Sequence, residues 1–319
     1  MTNDWRPLFT RDSNERSDFD VLHEGVPTWL EGSLWRWLMD RAAVGGPEII
    51  GRLERRLRTP LTTDRDRPLG QQHATPQKVL DRYWKGGDDN SRLTLLDALL
   101  ADSQEQGAIA LSADDQVTVR HHVEAARTLD RLLTDGGSAW RVDQSADGWL
   151  LIRRVGEATT ELVEAATAPQ TDAARKIKSA WSYCYRREPN YDLAYRDAVL
   201  AVESLVIPMT VPDSPRASLG TALAHVRETV SRWSVGGLDS KEIASCQTLL
   251  DMLKTLWHGQ QRHAERDGTI RDVSRIEAEA AVSLSVILVH WFGSGLVKKG
   301  QQHGDSERGA EGNPGDSTT

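Results

Sequence analysis

Hydrophobic positions in the second half of the chain fall into helical registers. Ile177, Ala180, Trp181, Cys184 and Tyr185 follow i, i+3, i+4, i+7 and i+8, the stripe by which a helix meets a core. Pro189 disfavours helical backbone at the residue before it, so that helix is predicted to stop near Glu188. Asn190 can cap the next one, on which Tyr195, Ala198, Val199, Val202, Leu205 and Val206 share a face up to Pro208. After the proline-rich loop MTVPDSPRA, Ser218 can cap a helix running to about Trp233. Asp239 and Glu242 have the spacing of a capping box and introduce Ile243, Cys246, Leu250, Leu253 and Trp257; Ser274 and Glu277 repeat the signal before AEAAVSLSVILVHWF.

The first half is patterned less regularly. VPTWLEGSLWRWLMDRA sets Trp29, Leu34, Trp37 and Leu38 near helical spacing, with Pro27 suited to a helix start. EIIGRLERRLRTPL continues as a basic helix bearing Arg52, Arg55, Arg56 and Arg58, a cluster that fits either a solvated face or a phosphate contact. Thr62 to Gly70 reads as a linker. Helical patterns resume in PQKVLDRYWKG, RLTLLDALLADS and DDQVTVRHHVEAARTLDRLLTDGG; in the last, Val119, Val123, Ala126, Leu129 and Leu133 form a face and Gly136-Gly137 a stop. The adjacent His121 and His122 point about 100° apart on a helix, so they read as structural or surface positions rather than a shared ligand set. AWRVD and GWLLIRRV flank the polar QSAD, which predicts one β-hairpin over residues 139–155 that needs helices to lie against.

These patterns predict a mainly α fold, a helical bundle with one small β-hairpin. Residues 1–20 read as a mobile arm and 21–138 as an N-terminal helical region. Residues 139–298 read as the hairpin plus a helical bundle, and from Lys298 onward the polar composition predicts disorder, leaving 299–319 as a tail.

Composition narrows the function classes. With 319 residues, 39% of them hydrophobic, the chain can bury one large core or two modest ones. A net charge of −8 argues against broad attraction to DNA or to an anionic membrane, which leaves a local basic patch as the route to a polyanion. Cys184 and Cys246 sit on apolar helix faces and read as buried free thiols. The absence of C-x-x-C spacing and of a secretory pattern at MTNDWRPLF leads to a cytoplasmic expectation. The apolar run Val282 to Val297 is shorter than the about 20 residues of a membrane span and reads as a core helix. There is no G-x-S-x-G, no glycine-rich loop followed by Lys-Ser/Thr and no G-x-G-x-x-G after a strand; GGLDSKE is a turn plus a helix cap, and no cofactor or metal is implied.

The densest candidate chemistry is LWHGQQRHAERDG, residues 256–268. If the helix persists through Gly259, then Lys254, His258 and Arg262 recur every four residues on one face, with His263 beside them. Imidazole titrates near pH 6.5 and can move a proton, while guanidinium and ammonium groups hold phosphate charge. His258, Arg262 and His263 are therefore the candidate catalytic residues, and Lys254 and Arg266 the candidate phosphate-binding ones. The competing reading is that basic side chains near a helix C-terminus simply complement its dipole. His258 and His263 stand about 140° apart, which disfavours a two-histidine zinc site.

The segments AWSYCYRREPNYDLAYRDAVLAVESLVIP, ASLGTALAHV, LWHGQQRHAERDG and EAEAAVSLSVILVHWF resemble the C-terminal region of bacterial abortive-infection-like proteins, related to HEPN helical domains (higher eukaryotes and prokaryotes nucleotide-binding). The resemblance covers about residues 140 to 298. It implies a helical bundle, a homodimer, and RNA or a nucleotide as partner, with metal-independent cleavage by an Arg followed, after four to six residues, by a His. Here only Arg16 to His23 and Arg67 to His73 have that spacing, both in expected arm or linker sequence. The positions five to seven before His263 are Leu256, Trp257 and His258, so the arginine is missing at the expected place. Two functions thus follow: a phage-defence protein whose bundle binds or cleaves RNA, and a non-catalytic helical interaction or dimerisation module. The eleven tryptophans, a residue type enriched at interface hot spots, suit the second.

Overall fold

A computed structural model describes residues 21–62, 75–145, 148–214, 216–236, 243–262 and 272–300. The expected arm 1–20, most of the linker, the Asp239/Glu242 box and the tail from 301 lie outside the described residues. The fold is mainly α, with a β-hairpin and, among the described residues, one further short antiparallel ladder. The chain divides into two compact units, Met1–Glu161 with Lys178–Ala194, and Leu162–Ile177 with Tyr195–Thr319.

In the first unit, α1 (Thr28–Val44), α2 (Ile49–Leu57), α3 (Pro76–Gly86), α4 (Asp89–Ser112) and α5 (Gln116–Asp135) precede β1 (Trp140–Ser145) and β2 (Gly148–Arg153). Side-chain caps start three of the helices: Thr75, Asp88 and Asp115 accept the backbone N–H of Lys78, Ser91 and Thr118, satisfying donors that the helix leaves open. Leu34, Leu38, Leu53, Leu80, Trp84, Leu95, Leu99, Leu129, Leu133 and Leu151 meet in one core.

Several faces turn slightly from the expected ones. Leu30 rather than Trp29 enters the core; Trp29 is 63% exposed and its indole donates to the Gly136 carbonyl at 3.2 Å. On α5, His122 and Ala125 join Ala126, Leu129 and Leu133 in the buried face, while Val119 and Val123 stay half-buried. α4 is longer than expected, because Gly107 inside it weakens a helix without ending it.

At the end of α5, Gly136 is the C-cap and Gly137 takes φ +68°, the left-handed conformation that turns the chain toward β1. The strands pair from Trp140↔Arg153 to Ser145↔Gly148. The hairpin, grouped by the sequence with the later helices, packs on α4 and α5. Asp97 of α4 accepts the Leu151 N–H at 2.6 Å and Asp130 of α5 accepts that of Val142 at 2.9 Å. Side chains thus serve backbone donors on a two-stranded ribbon.

The helices α6 (Glu157–Thr167), α7 (Asp172–Tyr185) and α8 (Tyr191–Thr210) follow. Asn190 caps α8 as expected, through the Leu193 N–H at 3.0 Å, and α8 continues past Pro208 to Thr210. A proline so close to the C-terminal end removes one hydrogen bond without breaking the helix body.

The second unit adds α9 (Leu219–Glu228), a 3₁₀ turn (Val230–Arg232), β3 (Trp233–Val235), α10 (Ile243–Arg262), α11 (Arg275–Gly293) and β4 (Val297–Lys299). α9 ends before Trp233 because residues 233–235 pair with 297–299, a ladder too short for alternation to reveal. Lys298 and Lys299, expected in the tail, belong to that ladder. Ser218 makes no side-chain cap bond; instead Glu203 of α8 accepts the Leu219 N–H at 2.7 Å, placing a carboxylate at the positive end of α9. Burial pushes the Glu203 carboxyl above its ordinary value, and that amide opposes the rise. Both cysteines are buried, and neither is in a disulfide. α11 has the length and hydropathy of a membrane span, yet Ala278, Ala281, Val282, Ser285, Val286, Leu288 and Val289 are buried within the protein. Its start is a complete capping box of Ser274 and Glu277.

Candidate functional site

The candidate strip stands on α10. Leu249, Leu250, Leu253 and Leu256 are buried at helical spacing, so the opposite positions face outward. Two contacts fix the helix lengthwise. The Tyr195 hydroxyl of α8 donates to the Leu256 carbonyl at 2.8 Å, and Gly220 of α9 lies so near Trp257 that an added Cβ would stand 2.7 Å from the indole. A side chain at 220 would push the indole aside.

α10 runs without interruption through Gly259 to Arg262. Lys254, His258 and Arg262 therefore occupy successive turns of one helix, as its persistence requires. Lys254 is half-buried and pairs with Asp251 at 3.1 Å, while His258 is exposed. Hydrogen bonds from Gln247 and Lys254 hold the Asp251 carboxyl below its usual value, so Lys254 already has a carboxylate partner that a phosphate would have to replace. Arg262 is the last residue of α10 and its side chain lies outside the described residues, as do His263 and Arg266 entirely. The strip can present positive charge and one imidazole to a ligand. Among the described residues, no three His, Cys, Asp or Glu side chains gather to hold a metal ion.

The first unit holds polar groups of another kind, several of them buried or half-buried. Arg52 grips Asp102 through Nε at 2.6 Å and Nη2 at 3.0 Å, a two-point pair with Asp102 buried. Its hydrogen bond to Asp102 raises the Arg52 pKa above the ordinary guanidinium value. Burial pushes the Asp97 carboxyl up to about 6, against the pull of the Leu151 N–H and of Arg187. Arg187 in turn donates to Asn90 and Thr94 and stacks 5.4 Å from the Trp140 ring centre. Arg41 of α1 donates through Nη2 to His121 Nε2 at 2.8 Å, with His122 next to it on α5. Burial lowers the Arg41 pKa, and burial followed by the Arg41 charge lowers that of His122.

Of these groups the sequence singled out Arg52, within a basic cluster read as a solvated face or a phosphate contact, and His121 and His122, read as structural or surface positions. Arg41 sits in a run that reads as a tryptophan-rich amphipathic helix, and Asp102 in one that reads as leucine-rich. The available signal was a charge falling in register with apolar positions: Arg41 is seven residues after Leu34.

Compared with known proteins, the chain matches no family model, no curated protein and no solved structure at a significant level.

Proposed function

We propose that this chain is a phage-defence protein of the abortive-infection, HEPN-like type, and that its second unit binds RNA through the basic end of α10. The observation supporting this is the continuity of α10 through Arg262, which carries Lys254, His258 and Arg262 on consecutive turns with the His258 ring exposed. Charges repeating along one face can follow successive backbone phosphates, and an acidic protein confines such binding to the patch. The reading extends to cleavage. An imidazole takes the ribose 2′-hydroxyl proton as that oxygen attacks phosphorus, the 5′-oxygen leaves with a proton from a second group, and a 2′,3′-cyclic phosphate forms. His258 is suited to one proton transfer and His263 to the other, with Arg262 on the phosphate charge and Lys254 and Arg266 holding flanking phosphates.

The experiment is incubation of end-labelled total bacterial RNA with purified protein, alone and with phage-infected lysate, without added metal, beside the Arg262→Ala/His263→Ala variant. Discrete fragments that vanish in the variant are expected. Wild-type RNA left intact in both conditions removes cleavage from the reading, and equal cleavage by the variant removes the strip.

A second reading, a non-catalytic interaction or dimerisation module, is favoured by Ile109, Leu111 and Val117, which are 57%, 58% and 75% exposed around the α4–α5 turn. It predicts a dimer in light scattering that Leu111→Glu converts to a monomer; a wild-type monomer that recovers no partner removes it.

A further inference from the structure

The cluster on α1 and α5 differs from every other buried charge described above. Arg41 is 7% exposed, and its Nε and Nη1 have no hydrogen-bond partner among the described residues. Nε carries one N–H and Nη1 carries two, so three of the five guanidinium donors have no acceptor. The bond that Arg41 does make, to His121 Nε2 at 2.8 Å, requires a neutral imidazole with its proton on Nδ1. His122, 6% exposed, has its own Nδ1 without a partner among the described residues. The two imidazoles lie 6.0 Å apart. Their divergence on α5 disfavours a shared metal, but the Arg41 guanidinium bonds His121 and its charge acts on His122 as well.

A buried cation without acceptors is unfavourable until something supplies them. At Arg52 the chain supplies Asp102; at Arg41 the carboxylate that acts on it is its exposed chain neighbour Asp40. Asp102 is already held at two points by Arg52. The His121 ring, exposed and able to swing away, is a weak neutral acceptor standing where an oxyanion would bind better. A tetrahedral phosphate offers oxygens in three directions, suited to guanidinium donors that open on different sides with an imidazole nearby, where a carboxylate offers two oxygens in one plane. The depth of Arg41 favours a free or terminal phosphate over the phosphodiesters of a polymer.

We propose that Arg41 and His122 form a binding site for a small phosphate-bearing anion, which takes the open Arg41 donors and replaces the His121 ring as that ring swings aside. This site is built from first-unit residues only and shares none with the α10 strip, so either can fail without the other.

The test is calorimetric titration of the phosphate-free, full-length protein with inorganic phosphate, with adenosine monophosphate and with acetate. Phosphate or the mononucleotide binds, acetate at least about tenfold more weakly, and Arg41→Met weakens phosphate binding at least about tenfold. Whichever of the two binds more tightly identifies the source of the phosphate group. In phosphate-free buffer Arg41→Met melts above wild type, because the unpaired charge is gone. With phosphate about 100-fold above its Kd, wild type gains about 5 °C and the variant nothing. No binding of either phosphate compound, or equal binding by Arg41→Met or of acetate, overturns the site. Should Arg41→Met fail to fold, His122→Phe removes the open Nδ1 together with Nε2 while keeping a planar ring, and unchanged phosphate affinity there overturns it equally.

Discussion

Beside its surface ion pairs, the first unit holds charge wholly or partly under cover: Arg52 against Asp102, Asp97 beneath the hairpin, Arg41 beside two histidines. The described charges on α10, by contrast, lie along the surface, where Lys254 has Asp251 and His258 has solvent. The two regions obey different physics. A buried charge couples to stability and to its own protonation, because leaving water is unfavourable unless partners replace it. An exposed charge costs the fold little and is free to act on a ligand. Substitutions in the first region should therefore be read out as stability, and those in the second as binding.

The largest expected effect breaks the comparison at its strongest point. Asp102→Ala strands Arg52 and should cost about 3–5 kcal/mol in denaturant unfolding of the first unit; a loss below about 1 kcal/mol would place the pair among surface contacts. Next comes Asp97. Folded, it keeps its proton up to about pH 6; unfolded, it releases it near 3.8. Its contribution to stability is therefore full below about pH 3.8 and is lost as pH rises through 6, a difference of about 3 kcal/mol. Asp97→Asn preserves an acceptor for the Leu151 N–H and should flatten that slope in unfolding curves measured from pH 4 to 7. An unchanged slope would assign it to other groups.

Smaller effects sharpen the contrast. Ser274→Ala removes the α11 cap and should cost about 1 kcal/mol, a local loss with no change in RNA binding. His258→Ala should shift stability by less than about 0.5 kcal/mol while lowering RNA affinity; a large fall in melting temperature would make His258 a structural residue instead.

Legibility in the sequence follows the same division. Helices with sustained stripes, such as Ile177 to Tyr185, and local signals such as Ser274 with Glu277, could be read directly, because both depend on near neighbours. The hairpin was visible in β-rich residues around a polar turn, but its packing was not, since the Asp97 and Asp130 bonds join residues 54 and 12 positions apart. The α9 boundary was missed for the same reason: residues 233–235 are held by 297–299. Of the candidate strip, spacing gave the shared face of Lys254, His258 and Arg262, while the Asp251 pairing of Lys254 required rotamers that sequence does not specify. The open donors of Arg41 were invisible, because a missing partner is a property of three-dimensional surroundings.

The most direct test of the RNA-binding reading is the affinity of the purified protein for single-stranded RNA across a salt series, beside Lys254→Ala/Arg262→Ala. Removing two phosphate-neutralising charges should weaken binding and lower the slope of log K against log salt by about 1.4. An unchanged affinity and slope, with both proteins folded, would contradict a role for the α10 strip in holding RNA.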